Sequence, residues 1–346
     1  MKYQHVYLDT IEYALPPHVL TSAHIEDQLK EVYAKLHIQP GQLAAWTGIY
    51  ERRLWAPNTL VSDGAILAGK KALDASGFSP NSVDMLIYAG VCRDQQEPAT
   101  ACRIAHALKI GTSCQIFDIS NACLGVLNAI VQGANAISAD QAKIVLIVSA
   151  ESSREIIDST ISRIQQNPTM DFFKQNIATL TGGSGAVAVL LTHEKISVQG
   201  HKLLGGIARQ ASQHYELCRW GHDQKNLQET GLIMETDAVG VLKYGVELGV
   251  QTFHDFQNYM NWGRNAPDKI ITHQVGATHQ ATFLKAISFS SEKDFTTFPV
   301  LGNIGSVSLP ITAAIANQRR ILQKGQRVGF LGIGSGLNCL VLGFQW

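Results

Sequence analysis

Six cysteines and twelve histidines supply ample material for nucleophilic chemistry, so position rather than number must select among them. Cys123 stands in FDISNACLGVLNAI, between a run of strand character and a run of helix character, with the small residues Ala122 and Gly125 beside it. A strand-to-helix elbow exposes a nucleophile, and a thiol at a helix N-terminus feels the positive end of the dipole. The expectation is a thiol more acidic than the ordinary value of roughly 8.5. Cys114 and Cys339 lie in apolar strand contexts and read as buried structural thiols, the common fate of free cysteine. A thiolate nucleophile needs an imidazole or amide partner and donors for the oxyanion it creates. His273 closes the apolar run KIIT, and His279 six residues on is its rival. Asn303, in GNIGSVSLP, occupies a polar turn ahead of a small-residue helix, where capping is the competing role. The loop GIGSG (332–336) offers N–H groups and close backbone approach. Its third glycine is misplaced for a dinucleotide fingerprint and a strand follows it, which argues against nicotinamide binding.

The elements that must position these groups alternate. Strand-like runs occur at 83–90, 114–120, 143–150, 185–192, 269–276 and 327–334, several of them continuously aliphatic, as strands covered on both faces are. Helical periodicity marks 60–76, 123–139, 237–262 and 308–320. The alternation predicts an α/β protein with a mostly parallel sheet under helices on both sides. The pattern also repeats. Asp84–MLIYA–Gly90 has a counterpart in Asp268–KIITHQV–Gly276, about half the chain away. Each is followed by a polar turn that opens a small-residue helix, SNACLGVLNAI in one case and GNIGSVSLPITAAI in the other. Two similar halves packed together would bring the Cys123 and Asn303 turns near each other at a pseudo-dyad.

The 346 residues amount to about two domains, and 45% hydrophobic against 16% charged residues suffices for a large core. Lys+Arg and Asp+Glu are 28 each, so no basic excess points to nucleic acid or an anionic membrane. The cysteines form no C-x-x-C pair and read as reduced thiols, not as metal ligands. The N-terminal segment lacks the apolar core of a signal peptide, and the uncharged stretch 328–346 is broken by glycines. A soluble, cytoplasmic protein is expected.

With these residues in view, the chain resembles the thiolase-superfamily condensing enzymes, specifically the ketoacyl-acyl-carrier-protein synthase III branch. The resemblance rests on Cys123 in A-C-x-G, His273 in H-Q after an apolar strand, and Asn303 in G-N-x-x-x-x-S-x-P, and it runs from TGIYERRLW (47–55) to GIGSGLNC (332–339). It implies a five-layered αβαβα fold of two duplicated halves, with residues 1–192 carrying the cysteine and 193–346 the histidine and asparagine, in a homodimer. Glu97, in CRDQQEPATACRIA (92–105), stands where chain-initiating synthases typically have an apolar residue. Together with LCRWG (217–221) and LGNIG (301–305) it resembles the OleA family, which joins two long-chain acyl-CoA molecules head to head in olefin biosynthesis.

The resemblance implies that Cys123 becomes acylated and that the N–H groups of Cys123 and Ile333 hold the oxyanion. It further implies that His273 and Asn303 hold an enolate, and that Glu97 reaches across the dimer as the base. No metal or cofactor beyond coenzyme A thioesters is implied, and downstream enzymes of the same pathway are possible partners. Leu124 is a candidate influence on chain length. Arg52, Arg53 and Arg219 are candidates for phosphate contacts, since the coenzyme-clamping Trp and Arg of the initiating synthases fall near Gln42 and Trp46. Two alternatives are a decarboxylating synthase III using malonyl-acyl-carrier protein, and a Cys-His-Asn thioester hydrolase.

Overall fold

The computed structural model describes residues 1–198, 200–222 and 232–346. Its strands are β1 Val6–Ala14, β2 His18–Thr21, β3 Glu51–Leu54, β4 Met85–Ala89, β5 Gln115–Ile119, β6 Ile144–Glu151 and β7 Gly185–His193. They continue with β8 His201–Gln210, β9 Cys218–His222, β10 Leu232–Thr236, β11 Lys269–Thr272, β12 Arg327–Gly334 and β13 Asn338–Gln345. β2–β3 and β9–β10 form two-stranded ribbons. The other nine run in the order β11-β12-β13-β8-β1-β7-β6-β4-β5.

That order mirrors itself about β1 and β8. On one side lie β5-β4-β6-β7-β1. On the other, an isolated parallel bridge from Ile270 to Asp294 stands at the outermost place, followed by β11-β12-β13-β8. The two aspartates of the sequence repeat make matching bonds. The Asp84 N–H donates to the Ile144 carbonyl (3.0 Å), and its Oδ2 accepts the N–H groups of Lys143 and Ile144. The Asp268 N–H donates to the Arg327 carbonyl (2.8 Å), and its Oδ2 accepts the Arg327 N–H (2.8 Å). Each aspartate thereby fixes the register of a parallel pair, β4–β6 or β11–β12. The halves of the sheet join along β1–β8 at Tyr7–Lys202 and Leu8–His201, and the seam continues ahead of β1, where Lys2 bridges Gly205 and the Tyr3 N–H donates to the Leu204 carbonyl (3.0 Å).

Side-chain alternation produces the layers. Ile87 and Val145 on one half-sheet and Phe330 and Leu342 on the other belong to a single apolar cluster with the helices Gly125–Ser138 and Ser308–Gln318. Those two helices are therefore sandwiched between the half-sheets. The opposite faces are capped separately. Leu86 and Leu146 pack with the helices Val61–Ser76 and Thr100–Leu108, and Leu331 and Val341 with Ala238–Met260 and Ala277–Ala286. The result is the αβαβα arrangement. Each fully buried Leu or Ile in it contributes roughly 1.5–3 kcal/mol.

Three expectations need correction. The sheet is mixed and not mostly parallel: β11–β12, β4–β6 and β4–β5 pair parallel, but the five pairs between β12 and β6 through β13, β8, β1 and β7 are antiparallel. The 114–120 run is not covered on both faces, because β5 is the outermost strand. Its Gln115 and Ile116 are exposed, and Cys114 is half-exposed instead of buried. β1 and β8, unmarked by the aliphatic pattern, lie at the centre of the sheet. Among the described residues no helix is long and apolar enough to cross a membrane.

Candidate active site

The strand β5 leads through Ala122, whose φ of +45° is uncommon for a residue with a Cβ, to Cys123 and the helix Gly125–Ser138. The elbow is tied down by the Asn121 amide donating to Asn128 Oδ1 (2.8 Å) and by the Leu124 N–H donating to the Asn121 carbonyl (2.9 Å). The expected acidification of Cys123 is overturned. Burial, with smaller contributions from nearby Cys218 and Glu151, pushes the thiol well above its ordinary range. Desolvation of the thiolate in an enclosed site outweighs the helix dipole.

His273 lies where β11 leaves the sheet. Its N–H donates to the Leu331 carbonyl (2.9 Å), and the Val275 N–H then turns back to the His273 carbonyl (3.2 Å). Asp294 holds the preceding residue, accepting from the Thr272 N–H (3.2 Å) and hydroxyl (2.9 Å), and it also accepts from the Gln280 amide (2.8 Å). The imidazole is buried, its Nδ1 has no partner among the described residues, and burial plus neighbouring His279 lower its pKa to about 4. His279, the rival, lines the same cavity and is lowered to about 4 by burial.

Because Leu331 presents its carbonyl to His273, Ile333, two residues on, directs its N–H to the same side of β12, past the end of β11. A Cβ built on Gly334 would approach the Cys123 nitrogen to 3.3 Å, so the elbow and the glycine loop are in contact. Asn303 follows a left-handed glycine, Gly302 (φ +68°). Its Oδ1 accepts from the Gly305 N–H (3.1 Å) and the Ser308 hydroxyl (3.4 Å), which fixes the amide and leaves Nδ2 as its unused donor. Asn303 is thus a turn residue and a site residue at once.

Cys123, His273, Asn303 and Ile333 line one cavity of about 180 Å³. It runs between β12 and the helix Ala238–Met260, along Val241, Gly245 and Gly249 to Phe283. A second cavity, about 530 Å³ and bordered by Ile156, Trp220 and Ile233, shares Cys123 and Asn303 with the first. Glu97 lines neither. It is exposed on the loop between β4 and the helix Thr100–Leu108 that precedes the edge strand β5.

Other candidates move or drop out. Arg52 is fully buried and donates to the Leu20 and Leu180 carbonyls and to Ser22 Oγ, so it supports the fold and presents no exposed group to a ligand. Arg53 lines neither cavity; Arg219 borders the second, paired with Glu235 at 3.0 Å. Leu124 packs in the middle layer and borders neither cavity. Sequence reasoning missed Glu151, a buried carboxylate at the end of β6 beside the Asn303 turn. Its one signal was an acidic residue ending an otherwise apolar strand. No cluster of three or more His, Cys, Asp or Glu suited to a metal occurs among the described residues.

A five-layered fold with a half-buried cysteine elbow, a histidine and an asparagine around one cavity defines a thiolase-superfamily condensing enzyme. Residues 117–205 match the model of 3-oxoacyl-[acyl-carrier-protein] synthase III, and 260–346 that of its C-terminal part. A curated acyl-CoA:acyl-CoA alkyltransferase of Shewanella oneidensis is 48% identical, over the full length of both chains. A cysteine-to-alanine variant of Xanthomonas campestris OleA superposes with a TM-score of 0.94 at 31% identity, covering 100% of this chain and 98% of that one. A cysteine-to-serine variant of the same protein, solved with bound lauric acid and lauroyl-CoA, gives 0.93 at 31%, covering 99% and 100%. The chain belongs to the acyl-CoA:acyl-CoA alkyltransferase family.

Proposed function

We propose that the enzyme joins two long-chain acyl-CoA thioesters by Claisen condensation without decarboxylation, the chemistry of the OleA family. The observation that carries this reading is the meeting of two cavities at Cys123 and Asn303, one for each acyl chain. Neutral His273 takes the Cys123 proton as the sulfur attacks the first thioester. The N–H groups of Cys123 and Ile333 hold the oxyanion, and coenzyme A leaves with the proton. A second acyl-CoA then loses an α-proton to Glu97 of the neighbouring subunit. Its enolate oxygen is held by His273 and the Asn303 amide, and its α-carbon attacks the acyl-cysteine carbonyl. The carbon–carbon bond forms, the Cys123 sulfur leaves, and a β-ketoacyl-CoA remains. The sequence of steps uses no cofactor beyond the thioesters.

Homodimerisation is supported by the unpaired edge of β5 and by the exposure of Glu97, which lines neither cavity of its own chain. The division at 192/193 into a cysteine-bearing half and a histidine- and asparagine-bearing half is supported by the mirrored strand order and the matched aspartates. A cytoplasmic setting suits six free thiols.

Incubation with myristoyl-CoA as sole substrate tests the proposal, and a β-keto product is expected. Product only after addition of malonyl-acyl-carrier protein would identify a decarboxylating synthase instead. Free fatty acid alone would identify a hydrolase.

A further inference from the structure

Glu151 ends β6 with a carboxylate that is 3% exposed and faces no cation in hydrogen-bond range among the described residues. Backbone and hydroxyl donors from both halves of the molecule satisfy it. Oε1 accepts from the Val91 N–H (2.9 Å), the Ser306 hydroxyl (2.6 Å) and, more weakly, the Ser306 N–H (3.4 Å), and Oε2 accepts from the Cys92 N–H (3.0 Å). Val91 and Cys92 begin the loop that carries Glu97. Ser306 follows Gly305, whose N–H orients the Asn303 amide and whose Cα approaches the Glu151 side chain so closely that an added Cβ would sit 3.4 Å from it.

We infer that Glu151 is a positioning residue for the carbon–carbon bond-forming half of the reaction, fastening the Asn303 turn to the root of the Glu97 loop. The inference rests on the condensation reading above. Acylation of Cys123 depends on other groups, the elbow N–H, Ile333 and His273, none of which bonds to Glu151. Losing the carboxylate should therefore divide the two half-reactions, whereas a merely structural role would weaken both.

Glu151→Gln keeps the volume but turns one acceptor into an NH₂ donor facing backbone N–H groups. With myristoyl-CoA, acylation of Cys123, followed by intact-protein mass, should stay within about twofold of wild type. Condensation should fall by about tenfold or more. Glu151 also adds negative charge near the thiol, so its neutralisation should raise the rate of Cys123 alkylation by iodoacetamide at pH 9. Ser306→Ala, a smaller change, should reproduce the division of half-reactions more weakly, and it carries the test if Glu151→Gln does not fold.

Equal loss of acylation and condensation, or condensation at the wild-type rate in both variants, would overturn the role of Glu151. Failure of the wild-type enzyme to condense myristoyl-CoA would overturn the functional reading instead.

Discussion

The Cys123 thiol and the His273 imidazole line one cavity and both favour their neutral forms, the first by a raised and the second by a lowered pKa. Both shifts favour a neutral thiol and a neutral imidazole over a pre-formed thiolate–imidazolium pair. Under the proposed mechanism, charge separates when the thioester is attacked. Iodoacetamide should accordingly alkylate Cys123 slowly at pH 7, with a rate still rising at pH 9. A plateau reached below pH 8 would restore the acidic thiol expected from the helix N-terminus.

Burial of neutral imidazoles also sets the response of stability to acid. His273, His279 and His201 are lowered to about 4, so between pH 6.5 and 4 the unfolded chain binds protons that the native protein refuses, and stability drops as pH falls through that window. Asp294, raised to about 6, acts in the opposite sense, because the native carboxyl keeps a proton that the unfolded chain releases between pH 3.8 and 6. Three imidazoles against two raised carboxyls, Asp294 and half-buried Glu12, predict a lower urea midpoint at pH 5 than at pH 7. His201→Phe, which alters a ring stacked 4.0 Å from Trp346 and away from both cavities, should shrink that difference. A midpoint that rises on acidification would contradict the assignment.

Glu97→Ala should leave acylation of Cys123 intact and reduce condensation by about a hundredfold or more, the scale of a lost general base. Mass spectrometry for the acyl-enzyme and product analysis for the β-keto compound report the two steps separately. Unchanged condensation would remove Glu97 from the chemistry.

Ile116 is 39% exposed on the unpaired edge strand β5. Ile116→Lys places a charge where edge-to-edge pairing would bury it. Sedimentation should record a shift from dimer to monomer, and condensation should fail with it while acylation persists. A fully active monomer would mean that no residue crosses between subunits.

Gly249 and Gly245 lie on the helix face that walls the narrower cavity. An added Cβ at Gly249 would come within 3.0 Å of Phe283 Cε2. Gly249→Val should therefore shift the preferred acyl-CoA toward shorter chains, lowering kcat/KM for myristoyl-CoA by about tenfold with a smaller effect on octanoyl-CoA. An unaltered chain-length profile would place the acyl group elsewhere.

Much of the framework was legible in the amino-acid order because local rules sufficed for it. The aliphatic runs became β4, β6, β7, β11 and β12, and the Asp84–Asp268 repeat marked two residues that bond alike in the folded molecule. The rest depended on neighbours that no window contains. β1 is interrupted by Asp9, and a register shift between Leu8 and Thr10 lets that side chain accept from Ser197 and Val198 instead of breaking the strand. β5 has the composition of an interior strand, yet topology leaves it at the rim. Cys123 sits at a helix N-terminus as its elbow implied, but the cavity around it reversed the sign of its shift. Glu151 showed in the sequence only as an acid ending an apolar strand, because its four donors come from segments far apart in the chain.

The way the halves meet has a consequence for cooperativity. Besides the seam of β1 and its N-terminal extension against β8, both half-sheets close on one shared apolar layer, the helices Gly125–Ser138 and Ser308–Gln318. Either half alone would leave one side of that layer wet. Each half therefore depends on the other for a complete interior, and heating should produce one calorimetric transition, with the folded framework and the reactive centre lost in the same step.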